Sequence, residues 1–416
     1  MQTDKLNAWL NQQRISNKLK IKKKSYQDLK QWKFEEKLIH HKKNNFFSIR
    51  PFLFSLKTKK WFQPLIIQKE QGILGIIKKK IKDTNYYLLQ SKIEPGNING
   101  VQISPTVQAT KSNYLRKHKG KKTVFLDYFL NKKNVKVLSS LKLSEQGSRF
   151  LDKKNKNILI EVNNFPKKLK KNFCWLTAQN IKYLISKKNI INMDTISVFS
   201  SVIKKNYFDI PINTKKDLKS KYDKFNDKFY LKRYPITFKK LKKWKITNFS
   251  IYDLSKDFFT IFFINVKANS REVKSWEQPI VSDHKISLNG FLTCKINKTT
   301  HYLLKIISEA GRNQPVYTST ISEKNHNFKS SKKLDYKSLF ISKNYLLDII
   351  NSDEGGRFLK NETRNIICEV KDHKKIQIKD NFIWASHNQM IELISQNKMS
   401  IEARNLFASY NIDKIK

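Results

Sequence analysis

EQGSRFLDKKNKNILIEV, residues 145–162, returns later in the same chain as DEGGRFLKNETRNIICEV, residues 353–370. Working outward, further blocks recur in the same order. Phe46-Phe47-Ser48-Ile49 matches Phe258-Phe259-Thr260-Ile261, and Trp61-Phe62-Gln63-Pro64 matches Trp276-Glu277-Gln278-Pro279. GILGIIKKKI from Gly72 matches LNGFLTCKI from Leu288, and NFCWLTAQNIKYLISKKNIINMDT from Asn172 matches NFIWASHNQMIELISQNKMSIEAR from Asn381. Five collinear blocks at a spacing of about 210 residues make a tandem duplication. Such a period is far too long for a solenoid, so each copy is expected to be a domain with its own core.

Each copy reads as α/β, of the α+β type with a mixed sheet. FQPLII (62–67) and GILGII (72–77) are short apolar runs rich in β-branched residues and bounded by turn signals, hence strands. Residues 86–93, YYLLQSKI, read as a buried strand. Ile181, Leu184 and Ile185 have helical spacing within residues 175–186, with Thr177 as a possible cap, and NMDT (192–195) opens a second helix. Four segments are expected: a helical arm over 1–45 carrying Leu6, Trp9 and Leu10; a first module over 46–205; a basic connector over 206–250, anchored by Phe225, Phe229 and Trp244; and a second module over 251–416.

Composition supports ordinary cores, with 39% hydrophobic and 12% aromatic residues in 416. Cys174, Cys294 and Cys368 lie far apart without a CxxC pair, which argues against a disulfide framework or structural zinc. The longest apolar run, Phe258 to Ile264, is far short of the roughly 18 residues that a membrane span needs. MQTDKLNAWLNQQ at the start has no apolar signal core, so a reducing cytoplasm is expected. The net charge of +50 points to nucleic acid when taken alone. Its source is 74 Lys against 10 Arg, however, and clamping phosphates or reading bases favours the planar fork of arginine. A nucleic-acid partner is therefore not the favoured reading.

The least ordinary stretch is QSKIEPGNINGVQISPTVQATKSNYLRKHK, residues 90–119. Pro95-Gly96 makes a turn. Gln102, Ser104, Thr106, Gln108 and Thr110 recur at period two, so an extended chain would gather them on one face. That face could simply be solvated. Solvated faces elsewhere in this chain are built from lysine, whereas amides and hydroxyls suit a neutral, hydroxyl-rich ligand.

This stretch, preceded by WFQPLI and GILG and followed by HKG, resembles the signature of the NDP-hexose 2,3-dehydratase family. REVKSWEQP from Arg271, GGRF from Gly355 and NFIW…EARNLF are similar to that family's second repeat, and the resemblance covers roughly 46–205 and 251–410. It implies two modules of Nudix-like topology and a homodimer. The implied substrate is a nucleotide-linked 4-keto-6-deoxyhexose, with the dTDP-linked sugar as its expected form, which loses water across C2 and C3. The Glu-rich metal helix of Nudix enzymes is absent, as are HExxH, a P-loop and GxGxxG, so neither a metal nor a cofactor is expected. Alternatives are a catalytically inactive nucleotide-sugar-binding homologue and a basic nucleic-acid-binding protein.

The C4 ketone acidifies the C3 proton, so the reaction needs a base, an acid for the departing C2 hydroxyl and a donor for the C4 oxyanion. Glu94, Tyr114 and His118 are candidates for base or acid, and Lys92 for the oxyanion. Gln102, Gln108 and Asn113 are candidates for hydroxyl recognition, with Gln63, Asn97, Ser104, Thr106 and Thr110 beside them. Trp61 is a candidate for stacking on the nucleobase, or else a packing residue. Glu145 and Arg149 are candidates for the sugar or the pyrophosphate; the recurrence of Arg149 as Arg357 equally suits a structural role. In the second copy the polar strand is replaced by KIISEAGRNQPVYTSTIS (305–322), where only Glu309 and Gly311 survive. A degraded second pocket is expected, with the chemistry in the first module.

Overall fold

The computed structural model describes residues 2–44, 46–115, 123–131, 135–166, 168–324, 336–340 and 345–416. Each module is built on one mixed sheet with the same strand order in both copies. In the first, Lys136–Ser144, Lys154–Glu161, Gly72–Ile81, Thr84–Ile93 and Phe173–Leu176 lie side by side. In the second the order is Tyr345–Ser352, Glu362–Glu369, Ser287–Ile296, Thr299–Ile307 and Phe382–Ser386. Pairing along each path is antiparallel except at one place, where Lys154–Glu161 runs parallel to Gly72–Ile81, and Glu362–Glu369 parallel to Ser287–Ile296.

Two helices follow the last strand of each sheet. Ala178–Ser186 starts from a capping box between Thr177 and Asn180, and His387–Ser395 from one between Ser386 and Gln389. The second helices, Met193–Ser200 and Ile401–Tyr410, are capped by Asn192 and Ser400. Their apolar faces do not make two separate cores. Leu184, Phe199, Met390, Leu406 and Phe407 meet in one cluster shared by both modules. Each such side chain stabilises the fold by roughly 1.5–3 kcal/mol relative to exposure.

The arm is α-helical only over Thr3–Ser16; it continues as strands Leu19–Lys23, Trp32–Phe34 and Ile39–His41, with a 3-10 turn at Tyr26–Asp28. The connector repeats that order, with helix Lys215–Lys228 and strands Lys232–Pro235, Trp244–Ile246 and Ser250–Asp253. Arm and connector are thus two copies of one element, and the repeating unit is longer than the sequence blocks suggest. Their first strands are exchanged. Leu19–Lys23 pairs with Phe259–Ala268 of the second module, and Lys232–Pro235 pairs with Ser48–Leu56 of the first. The indoles follow suit: Trp32 Nε1 donates to Glu277 O at 2.6 Å, and Trp244 Nε1 to Phe62 O at 2.8 Å.

A second reciprocal contact locks the modules. Gly96 N donates to Gly355 O at 2.7 Å, and Gly311 N donates to Gly147 O at 2.6 Å. The approach leaves no room for a side chain: a Cβ on Gly96 would lie 1.5 Å from Phe358 O, and one on Gly311 1.7 Å from Phe150 O. Glycine is required at both turns for this close approach.

Candidate active site

A cavity of about 570 Å³ opens between the modules, a size suited to a small-molecule ligand. Three parts of the chain wall it. The arm supplies Lys30, Trp32, His41, Lys42 and Lys43; the first module supplies Phe46, Lys92, Glu94, Gln108, Glu145, Lys153 and Asp194; the second supplies Arg271, Trp276, Glu354 and Arg357. Lys30, Lys42 and Lys43 are exposed and form a cationic rim, whereas Glu94, Glu145 and Asp194 are buried and form an acidic floor. Phe46, on the wall, has φ 75°, a left-handed conformation that is unusual for a bulky residue.

Hydrogen bonds tie the floor into a row. Lys92 Nζ lies 2.9 Å from Glu94 Oε1 and donates to Gln108 Oε1 at 2.9 Å; Gln108 Nε2 donates to Asp194 Oδ2 at 2.7 Å. Asp194 sits in the first turn of Met193–Ser200, where Asn192 Oδ1 accepts its backbone N–H. Glu145 Oε1 accepts from Asn155 Nδ2 at 2.7 Å, and Lys153 Nζ donates to Glu70 O. From the second module, Arg271 Nη1 approaches Glu94 Oε1 at 3.7 Å, Glu354 Oε1 accepts from Gly356 N at 2.8 Å, and the Arg357 guanidinium lies over the Phe47 ring at 4.1 Å.

The four carboxyls are shifted in opposite directions. Burial pushes Glu94 up, but Lys92, then Arg271 and Arg357, outweigh it and hold the group below the ordinary carboxylate value. Asp194 is raised well above its usual value by burial and then by the charges of Glu145, Glu354 and Glu94. Glu354 is raised to about 7 by burial and the neighbouring charge of Glu94. Burial also raises Glu145, against the pull of Arg404 and Lys153. Burial lowers Lys153 despite Glu145 and Glu70. Neighbouring carboxyls whose environments push them apart are the arrangement from which acid and base roles can be assigned. Among the described residues, no group of three or more His, Cys, Asp or Glu side chains is placed to hold a metal ion.

Of the residues singled out from sequence, Lys92, Glu94, Gln108, Thr110 and Glu145 line this cavity. The others are placed elsewhere. The polar strand does not present one continuous face. It runs with Thr84–Ile93 as Val101–Pro105, then crosses to Gly72–Ile81 as Val107–Ala109. Thr106 bridges the split, accepting from Ile77 N at 3.0 Å and donating to Leu88 O. Gln102 and Ser104 are consequently buried, and Gln102 Nε2 donates to Ser352 Oγ and to Asn189 O. Asn97 braces its turn by donating to Gly100 O at 2.8 Å, Gln63 donates to Ser148 O at 2.6 Å, and Trp61 stacks on Phe54. Arg149 turns to the second module, 3.0 Å from Asp283 Oδ1. For these seven the ligand-facing expectation gives way to packing and bracing. Asn113 and Tyr114 fall in the short helix Lys111–Tyr114; His118 lies outside the described residues.

Sequence reasoning missed Asp194, Lys153, Arg271, Glu354 and Arg357. A signal for two of them existed in the opening repeat: Glu354 and Arg357 stand in DEGGRF, the counterpart of EQGSRF, which holds the cavity residue Glu145.

The corresponding place in the second module holds about 40 Å³, lined by Asp353, Thr363 and Glu402 among others. Repeat register explains the difference. Thr320 bridges its split strands as Thr106 does, which puts Ile307, Ser322 and Lys324 where the first module has Lys92, Gln108 and Thr110. Lys324 is buried, is paired with Asp353, and lies 4.0 Å from Asp283 Oδ2.

Comparison with known proteins agrees with this geometry. The family model described as NDP-hexose 2,3-dehydratase matches residues 3–202 and 215–410, taking in both the arm and most of the connector. The dTDP-4-dehydro-6-deoxy-alpha-D-glucopyranose 2,3-dehydratase of Saccharopolyspora spinosa is 29% identical over 98% of this chain and 91% of its own length. The enzymes of the same name from Amycolatopsis orientalis and Streptomyces violaceoruber are 29% and 28% identical, over 99% and 96% of this chain and 90% and 95% of their own lengths. With two matched spans that cover nearly the whole chain, in register with a structural duplication, this protein belongs to the NDP-hexose 2,3-dehydratase family.

Proposed function

We propose that this chain is a hydro-lyase of deoxysugar biosynthesis, removing water across C2 and C3 of a dTDP-linked 4-keto-6-deoxyhexose. The observation that carries the reading is the floor of the cavity, where Lys92 and Arg271 beside Glu94 hold its carboxyl below the ordinary carboxylate value while burial and neighbouring carboxylates raise those of Asp194 and Glu354.

Glu94 takes the C3 proton, which the adjacent C4 ketone acidifies. Lys92 Nζ, already fixed by Glu94 and Gln108, faces the charge that develops on the C4 oxygen. A neutral carboxyl, Glu354 or Asp194, protonates the departing C2 hydroxyl. The product is an enol at C3, which relaxes to the 3,4-diketo-2,6-dideoxy sugar. At the rim, Trp32 and Trp276 offer aromatic surfaces for the nucleobase, and Lys30, Lys42 and Lys43 face the diphosphate. In this reading Gln108, Thr110 and Glu145 contact the sugar.

Nudix-like topology within each module, a homodimeric assembly and a cytoplasmic location belong to the same proposal and rest on the resemblance. Among the described residues no helix is long and apolar enough to cross a membrane. The test is incubation with dTDP-4-keto-6-deoxyglucose, followed by mass spectrometry. Loss of one water from the nucleotide sugar is expected. Unchanged substrate, under conditions where dTDP itself binds, would overturn the lyase reading.

A further inference from the structure

The two arginines of the opening repeat occupy equivalent backbone positions but meet opposite surroundings. Arg149 O accepts from Ile66 N at 2.8 Å, and Arg357 O accepts from Val281 N at 2.9 Å. Each side chain then reaches across to the other module's hairpin and lies over its phenylalanine, Arg149 over Phe259 at 4.6 Å and Arg357 over Phe47 at 4.1 Å. Phe259 is paired with Asp283 across its hairpin, and Asp283 completes an ion pair with Arg149 at 3.0 Å. In the first hairpin the same register puts Gln68 beside Phe47. Gln68 is neutral, and its amide donates to Glu70 Oε1 at 3.4 Å.

Arg357 therefore has no carboxylate at ion-pair distance among the described residues. Its guanidinium donates to Gly356 O at 2.9 Å, its Nε meets no acceptor among them, and it lines the cavity. Glu354, Glu94 and Glu70 act on this half-buried guanidinium electrostatically, but none closes to an ion pair, so its donors remain available for an anion to complete. The guanidinium fork presents several donors in one plane, suited to oxygen anions.

We propose that Arg357 is a catalytic residue contributed by the second module, which binds an anionic oxygen of the substrate, and that Gln68, by being neutral, keeps it free to do so. This rests on the dehydratase reading. The substrate offers two such oxygens, on the C4 enolate and on the diphosphate, and the experiment separates them.

The decisive variant is Gln68→Asp, which imports the second module's ion pair into the first. It is compared with Gln68→Asn, which shortens the side chain equally without adding charge, so that their ratio reads the charge alone. Arg357→Gln is measured in parallel, and all four proteins are assayed for kcat, KM and the Kd for dTDP alone. We expect Gln68→Asp and Arg357→Gln to lose on the order of 100-fold in kcat. Retained dTDP affinity assigns Arg357 to the enolate; a matching loss of dTDP affinity assigns it to the diphosphate. Equal behaviour of Gln68→Asp and Gln68→Asn, with wild-type kcat and dTDP affinity in Arg357→Gln, would overturn the proposal. Should Gln68→Asp fail to fold, Arg357→Gln against Arg357→Lys decides alone, with loss in both supporting the fork and loss in neither sinking it. Absence of turnover in the wild type would sink the dehydratase reading instead, and the dTDP measurements would still report on Arg357.

Discussion

The two modules share strand order, caps and reciprocal contacts, yet treat buried charge in opposite ways. In the second, Lys324 pairs with Asp353 and Arg149 with Asp283, and about 40 Å³ remains. In the first, Lys92, Glu94, Arg271 and Glu354 stand around about 570 Å³ with Arg357 unpaired among the described residues. The lesson concerns what closes a site. The scaffold alone does not distinguish the copies; a handful of side chains decides whether buried charge is neutralised within the protein or left for a ligand to complete.

The comparison breaks most visibly at Glu94. Glu94→Gln should reduce turnover roughly a thousandfold if it is the base, whereas Glu309→Gln, its repeat counterpart, should leave kcat within a few-fold; comparable losses at both would mean that the second module takes part in the chemistry. Next comes the plug. Asp283→Asn removes the partner of Arg149 and a neighbour of Lys324, so the denaturant midpoint should drop by an amount equivalent to about 3–5 kcal/mol. Gly311→Ala drives a Cβ against Phe150 O and should destabilise by ~1–3 kcal/mol in the same measurement. Gly96→Ala should destabilise similarly and also impair kcat, because Glu94 precedes that turn.

The smallest effect is a pH dependence. Glu354 is raised to about 7 in the folded protein, so its neutral form is favoured by folding. Its contribution to stability is complete below the ordinary carboxylate value and is lost as pH rises through about 7. Activity that depends on the neutral acid should fall through the same range. In Glu354→Gln that alkaline limb should vanish from the kcat profile, and persistence of the limb would move the acid role to Asp194.

Much of this was legible beforehand. The duplication, the strands FQPLII and GILGII, the cap at Thr177 and the cavity residues Lys92, Glu94, Gln108, Thr110 and Glu145 follow from local pattern, turn chemistry and the family signature. What escaped depends on long-range pairing. Period-two spacing over residues 102–110 predicts one face, but the host strands diverge, and the segment changes partner at Thr106. Arg357 and Glu354 join the first module's chemistry only through interlocked glycine turns, more than 200 residues from Glu94. The kinship of arm and connector was obscured because the two helices differ in composition, Lys215–Lys228 being lysine-rich while Thr3–Ser16 carries Lys5 alone, and because they share few apolar positions beyond the Trp32 and Trp244 strands.

Exchange of the arms bears on how such an inequality could arise. If each half's strand is completed by the other, the chain has the layout of a two-fold dimer joined into one polypeptide. In a dimer of identical subunits every substitution appears twice, so a lysine that filled one pocket would fill both and abolish function. Joining the halves removes that constraint. One pocket can become a solid, stabilising core while the other stays open, and the closed half goes on lending Arg357, Glu354 and Arg271 to its twin.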